Sequence, residues 1–164
     1  MKKFSKYILY GFTYLFVIFV LAVLFIATAK ADLIKPNNGI EPFQVVKIQL
    51  RSLKQNDKPK KDNGIEQTWE FAHPSNKKIT GPLTRFKTMI RGKSYGMLLN
   101  HLDHKVVEVE SGDLTALFEV IVLAKDKAFY KFNWTVEKYT AEGPLKGCWL
   151  TTMVSAPKSL GSSI

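Results

Sequence analysis

The histidines of this sequence have a type and spacing that could support metal binding or general-base chemistry. His101 and His104 are three residues apart with Asp103 between them, and on a helix this spacing could hold a metal ion. A strand is predicted to begin near residue 104, however, so the two rings would face opposite sides and solvated loop histidines are favoured. His73 precedes Pro74, where capping a helix is favoured over acting as a base. The sequence therefore predicts no metal site and no cofactor.

Carboxylates and one thiol are the other candidates for catalysis. General acid–base chemistry needs a carboxyl group in apolar surroundings, which raise its pKa towards the working pH. Glu66 and Glu70 are four residues apart on a predicted helix and favour a solvated stripe, whereas Asp57 favours a role in a turn. Cys148, the single cysteine, lies among apolar neighbours, which favours a buried, unreactive thiol. No catalytic residue is predicted.

A hydrophobic leader opens the chain. After a basic start, the 23 residues from Tyr7 to Ala29 carry no charge. At about 1.5 Å per residue, such a helix is long enough to cross the roughly 30 Å hydrocarbon core of a bilayer. Residues 1–31 are therefore predicted to be either a transmembrane anchor or a signal peptide cleaved after Ala31. Both alternatives place the rest of the chain outside the cytoplasm, in a periplasm, a lumen or the extracellular space, either anchored to the membrane or soluble after cleavage.

The net charge of +10 for 164 residues is partly a property of this leader. Beyond it, residues 32–164 hold 20 basic and 14 acidic residues, a net charge of +6. A nucleic-acid partner is therefore not predicted. The basic runs 58–61 and 77–78 favour a solvated surface, and contact with anionic lipid headgroups is the alternative.

The helices that must position any site come early in the chain. Residues 32–41 read as a linker containing proline, asparagine and glycine. A first helix is predicted from Pro42 to about Asn56, with an apolar stripe formed by Phe43, Val46, Leu50 and Leu53. Two shorter helices are predicted over 65–72 and 82–91, with a loop at 74–81 between them.

Apolar and polar residues then alternate along the chain, which is the pattern of strands with one buried face. This pattern predicts strands at 104–110, 114–124, 128–139 and 147–155, followed by a flexible tail at 156–164. This order predicts an α+β fold, with two to three helices packed on a curved antiparallel sheet of about four strands. The folded domain would span residues 42–155. A pocket is expected between the helices and the concave face of the sheet.

Four stretches of this domain resemble a known family. They are Val45–Leu50 with Leu53 and Asn56-Asp57, Trp69–Pro74, Phe86–Arg91 with Tyr95, and Gly147–Leu150. In these stretches the chain resembles the bacterial family called domain of unknown function 4864, which is similar to the NTF2-like (cystatin-like) superfamily. The resemblance covers roughly residues 42–152, and the chain departs from it by an insertion, DKPKKDNGIEQT, and by the leader. It implies a cone-shaped fold, a pocket and often a homodimer through the sheet, but no established activity.

The sequence thus favours a membrane-tethered or exported module that binds a ligand or a partner without catalysis. A small apolar ligand is expected, and the candidate pocket residues are all aromatic: Trp69, Phe86, Tyr95, Tyr130, Phe132 and Trp134. Core packing is the competing interpretation for these side chains. Two other functions stay open, namely a small pocket enzyme of the isomerase, dehydratase or hydrolase type and an assembly subunit of an envelope complex.

Overall fold

The computed structural model describes residues 32–162, which form an α+β domain with four α-helices, one 3-10 helix and a five-stranded antiparallel sheet. The α+β class expected from the sequence is confirmed. Within residues 32–162, no helix combines the length and the apolar character needed to cross a membrane. The predicted span Tyr7–Ala29 and the cleavage position after Ala31 lie outside the described residues.

The first helix, α1 (Pro42–Lys54), begins where the sequence predicts. Proline at its first position and a capping box between Glu41 and Gln44 satisfy its N-terminal backbone groups. Its buried face differs from the predicted stripe, because Phe43 is 37% exposed while the polar Gln49 is 1% exposed. The face that packs on the sheet is therefore rotated away from Phe43.

Three further helices follow: α2 (Asn63–Glu70), α3 (Pro74–Thr80) and α4 (Leu83–Arg91), with the 3-10 helix at Gly96–Leu98. The loop predicted at 74–81 is wrong, because this segment forms α3. Pro74 does not only end the preceding helix; it also occupies the first turn of the next one. No residue of α3 is buried, so the helix has no apolar periodicity by which a sequence could reveal it.

The sheet is built from β1 (Asp103–Ser111), β2 (Thr115–Leu123), β3 (Ala128–Lys138), β4 (Trp149–Val154) and β5 (Lys158–Ser162). The strands β1 to β4 are neighbours in that order. Strand β5 pairs with the first half of β3, whereas β4 pairs with its second half. The sheet thus has five strands and not about four, and β5 takes the place of most of the predicted tail. All its residues are exposed, so it lacks the alternation that predicts a strand.

The predicted linker at 32–41 is held against the domain. The side chain of Gln67 exchanges two hydrogen bonds with the backbone of Ile34, at 2.7 and 2.8 Å. Lys35 forms an ion pair with Glu70 at 2.9 Å, and Ile40 packs against the core. These contacts fix the direction in which the chain enters the domain.

Candidate functional site

A cavity of about 230 Å³ lies between the helices and the end of the sheet formed by β3 and β4. Its walls come from every helix and from the two strands. The apolar lining residues are Leu53, Ala72, Ile79, Phe86, Met89, Ile90, Leu98, Trp134, Met153 and Val154. The polar ones are Gln49, Thr68, Asn76, Thr80, Tyr95, Thr151 and Thr152. None of these seventeen side chains carries a formal charge at neutral pH.

A buried polar cluster of Gln49, Trp134 and Thr151 forms one wall of the cavity. The indole Nε1–H of Trp134 donates to Gln49 Oε1 at 3.0 Å and to Thr151 Oγ1 at 3.2 Å. The Thr151 hydroxyl donates to Gln49 Oε1 at 2.7 Å, and Gln49 Nε2 donates to the carbonyl of Thr68 at 3.1 Å. Because these groups satisfy one another, the cluster ties α1 to α2, β3 and β4 without leaving an orphaned polar atom.

The helix α3 forms the outer wall of the cavity. It contributes Asn76, Ile79 and Thr80, and it is attached to β4 through a hydrogen bond from the backbone N–H of His73 to the carbonyl of Thr151 at 2.9 Å. Ile79 is 73% exposed, and Met153 on β4, which also lines the cavity, is 53% exposed. The mouth of the cavity is therefore bordered by apolar side chains that reach solvent.

Three of the six predicted pocket residues line this cavity: Phe86, Tyr95 and Trp134. Tyr95 donates its hydroxyl hydrogen to the carbonyl of Val154 at 3.2 Å. Trp69 lies outside the lining and packs on Phe86, with ring centres 4.9 Å apart.

The two remaining candidates lie elsewhere. Phe132 is fully buried in the core, so the core-packing interpretation holds for it. Tyr130 borders a separate, open cleft with Met97 and donates to Asp126 at 3.1 Å. The structure therefore gathers the aromatic residues of α4, the following turn and the second half of β3 at one site.

The candidate acids are engaged away from the cavity. Asp57 accepts hydrogen bonds from the backbone of Asp62 and from neighbouring asparagine side chains, which lower the pKa of its carboxyl group. The ammonium groups of Lys60 and Lys87, at 2.6 and 2.8 Å, lower the pKa of Glu66. Both carboxyl groups are thus held ionised, the opposite of what a general acid needs.

His73 and Cys148 have structural roles. Nδ1 of His73 accepts the backbone N–H of Ser75 at 3.1 Å and so caps α3. The thiol of Cys148 is buried and donates to Asn38 Oδ1 at 3.4 Å, and burial raises its pKa. A buried thiol with a raised pKa is a poor nucleophile.

The pair His101–His104 corrects the expectation of two solvated rings on opposite sides. His101 is 2% exposed, and its Nε2 lies 2.7 Å from Nδ1 of His104. Since Nδ1 of His101 donates to the carbonyl of Leu98 at 2.7 Å, its Nε2 accepts a hydrogen from His104. The two rings are thus hydrogen-bonded to each other as neutral groups. Residues 32–162 contain no cluster of three side chains that could hold a metal ion.

This pair makes stability depend on pH. Burial, with smaller contributions from His104 and from Lys54 of α1, lowers the pKa of His101 from 6.5 to about 4. The unfolded chain therefore takes up the proton first as pH falls, and stability is lost between pH 6.5 and 4. We expect a loss on the order of 3 kcal/mol from this residue. Urea unfolding followed by tryptophan fluorescence should show a shallower pH dependence for His101→Gln.

His73→Asn is the matched control for this prediction, because asparagine also caps helices and does not titrate. It should retain most of the pH dependence. An unchanged slope in His101→Gln would show that the buried pair is not responsible.

The outer face of the sheet carries exposed apolar residues of β1. Val107 is 42% exposed and Val109 is 60% exposed. On the neighbouring strands, Glu119 of β2 and Lys131 of β3 form an ion pair at 2.8 Å. The homodimer through the sheet stays a prediction.

Comparison with protein-family models, with curated proteins and with solved structures gave no match for this chain. The resemblance to domain of unknown function 4864 and to NTF2-like proteins therefore stays a prediction.

Proposed function

We propose that this chain is a non-catalytic binding module for a small, uncharged, largely apolar molecule, carried by a membrane-tethered or exported domain of the NTF2-like type. The observation that carries the proposal is the cavity lining, which has ten apolar side chains and no formal charge. Moving an ionised group into such surroundings without a counter-charge is strongly unfavourable. A neutral ligand meets no such cost.

The size of the cavity supports a small ligand. An apolar cavity of about 150 Å³ is enough to hold benzene, and this one is about 230 Å³. A substituted single ring or a short branched chain fits that space. Tyr95 and Thr80 use their hydroxyl hydrogens on protein carbonyls, so their oxygens can still accept a hydrogen bond from a ligand hydroxyl.

Support for the membrane tether and for the NTF2-like fold type comes mainly from the sequence. The uncharged stretch from Tyr7 to Ala29 supports a membrane anchor or an export signal. Helices on one face of a curved antiparallel sheet, with a cavity between the layers, are consistent with the NTF2-like architecture that the resemblance implies.

The pocket-enzyme alternative has less support. It requires an acid, a base or a nucleophile beside the ligand. Among the seventeen lining residues, Tyr95 alone has a titratable side chain, and its hydrogen is committed to Val154. Asp57, Glu70 and His73 do not line the cavity.

Three probes of equal size and different charge test the proposal: benzyl alcohol, benzoate and benzylammonium. The full-length chain, labelled with carbon-13 at its methionine methyl groups, offers reporters inside and outside the site. Met89 and Met153 line the cavity, whereas Met97 borders the other cleft. We expect benzyl alcohol to shift the first two signals saturably and to leave Met97 unchanged.

The charged probes should bind at least about tenfold more weakly, a difference of roughly 1.4 kcal/mol. Benzoate binding as tightly as benzyl alcohol would contradict the proposal, as would an absence of shifts at both cavity methionines.

A further inference from the structure

The segment between Glu70 and Asp103 has an unusual charge. It contains six lysine and arginine residues and no acidic residue. The rest of residues 32–164 holds 14 basic and 14 acidic residues, so the whole net charge of +6 beyond the leader comes from this segment. The segment comprises α3, α4 and the following turn, the elements that build the outer side of the cavity.

Part of this charge is already neutralised. Lys87 pairs with Glu66 at 2.8 Å, and Arg91 forms an ion pair with Asp62. By contrast, Lys77, Lys78 and Arg85 form no ion pair with any residue in the described part of the chain. Lys93, just after α4, likewise forms no ion pair with a described residue, so two of the four uncompensated cations lie on α3, one on α4 and one beyond it.

An apolar residue accompanies these cations. Ile79 directly follows Lys78 on α3 and, at 73% exposure, is more exposed than the other large apolar side chains of residues 32–162. Met153, at 53% exposure, lies at the same cavity. Lysines beside an exposed apolar residue suit the interface of an anionic bilayer, because headgroups attract the cations and acyl chains accept the apolar side chain.

We propose that α3 docks on an anionic lipid surface through Lys77, Lys78 and Ile79, with the mouth of the cavity turned towards the bilayer. Small apolar molecules concentrate in the bilayer, so this orientation brings the cavity to their source. The docking surface stands on charge and exposure and does not require that the cavity binds a ligand.

The other basic run, 58–61, is a weaker candidate. Asp57 and Asp62 flank it, and Lys60 pairs with Glu66 at 2.6 Å. Lys58 and Lys61 form no ion pair with a described residue, but the run has no exposed large apolar side chain to accompany them.

An environment-sensitive nitrobenzoxadiazole label attached at Ile79→Cys tests the docking in the full-length chain. The chain is reconstituted in vesicles of phosphatidylcholine, with or without phosphatidylglycerol. We expect blue-shifted emission at position 79 only with the anionic lipid. The same label at Val109→Cys, an exposed position on β1, should report water in both cases. Cys148 is buried, and the label taken up by the parent chain provides the blank.

Charge variants complete the test. K77Q/K78Q should abolish the shift at position 79, whereas K105Q/K158Q, which removes the same charge from exposed positions of β1 and β5, should preserve it. Equal emission in both lipids, a similar shift at position 109, or no effect of K77Q/K78Q would overturn the proposal. So would a shift that depends on protein concentration and not on lipid charge, which would identify a second copy of the chain as the occupant. Ligand binding is read separately at Met89 and Met153, so either proposal can fail alone.

Discussion

Replacing Met89 with tryptophan is expected to weaken the binding of benzyl alcohol in the cavity. Met89 lines the cavity from α4 and is only partly buried, so the larger ring can enter the open space without displacing the fully buried core. The indole is larger than the methionine side chain that it replaces and would occupy part of the space of about 230 Å³, which narrows the room left for a ligand ring. We expect affinity to fall at least about tenfold, or 1.4 kcal/mol. Titration followed at the methyl group of Met153 provides the measurement.

The thermal midpoint of Met89→Trp should stay level or rise, because filling a cavity recovers packing contacts. Val109→Trp places the same bulk on an exposed position of β1 and should leave binding unchanged. Retained binding in a folded Met89→Trp chain would mean that the ligand occupies another place. A large fall in the midpoint would mean that the side chain was forced into the core.

The sequence predicts an element most directly where one face of that element is buried. In β2, Ala116, Phe118, Val120 and Val122 are fully buried, and they alternate in the sequence as they do in the sheet. In α4, Phe86 and Ile90 are buried as their spacing predicts, whereas the buried face of α1 is rotated away from Phe43 and Trp69 of α2 is only partly buried. The elements α3 and β5 were missed because none of their residues is buried, so neither has the apolar periodicity on which the prediction depends.

The site was only partly predictable, for a related reason. Aromatic residues were the signal used, and this signal does not distinguish Phe132 in the core from Phe86 at the cavity. The residue that organises the polar wall, Gln49, interrupts the apolar face of α1. A polar side chain within an otherwise buried stripe was the available indication of a buried hydrogen-bond cluster. Its partners, Trp134 and Thr151, are 85 and 102 residues away and have no sequence signature.

Gly64→Ala is the substitution for which we expect the largest loss of stability. Gly64 lies in the first turn of α2, where the helix crosses α1 at very close range. A β-carbon at this position would meet the carbonyl of Ser52, with its carbon at 2.6 Å, and Cα of Asn56 at 2.8 Å. Both neighbours are backbone, so neither can move aside by changing a rotamer.

The clash also breaks the connection between the two helices. Asn56 accepts the backbone N–H of Gly64 at 2.9 Å through its carbonyl and that of Ile65 at 3.1 Å through Oδ1. Forcing α2 outward would leave these buried donors unpaired, which adds to the cost of overpacking. We therefore expect the free energy of unfolding to fall by about 3 kcal/mol or more. Urea unfolding followed by circular dichroism measures this change.

Gly112→Ala is the matched control, because a β-carbon there meets only the carbonyl oxygen of Thr115 at an ordinary 3.6 Å. Its midpoint should stay close to that of the parent chain. If the two variants unfold at the same urea concentration, the close crossing of α1 and α2 is not a constraint on the fold. The position of Gln49 would then also need another explanation, since the same crossing brings it to the carbonyl of Thr68.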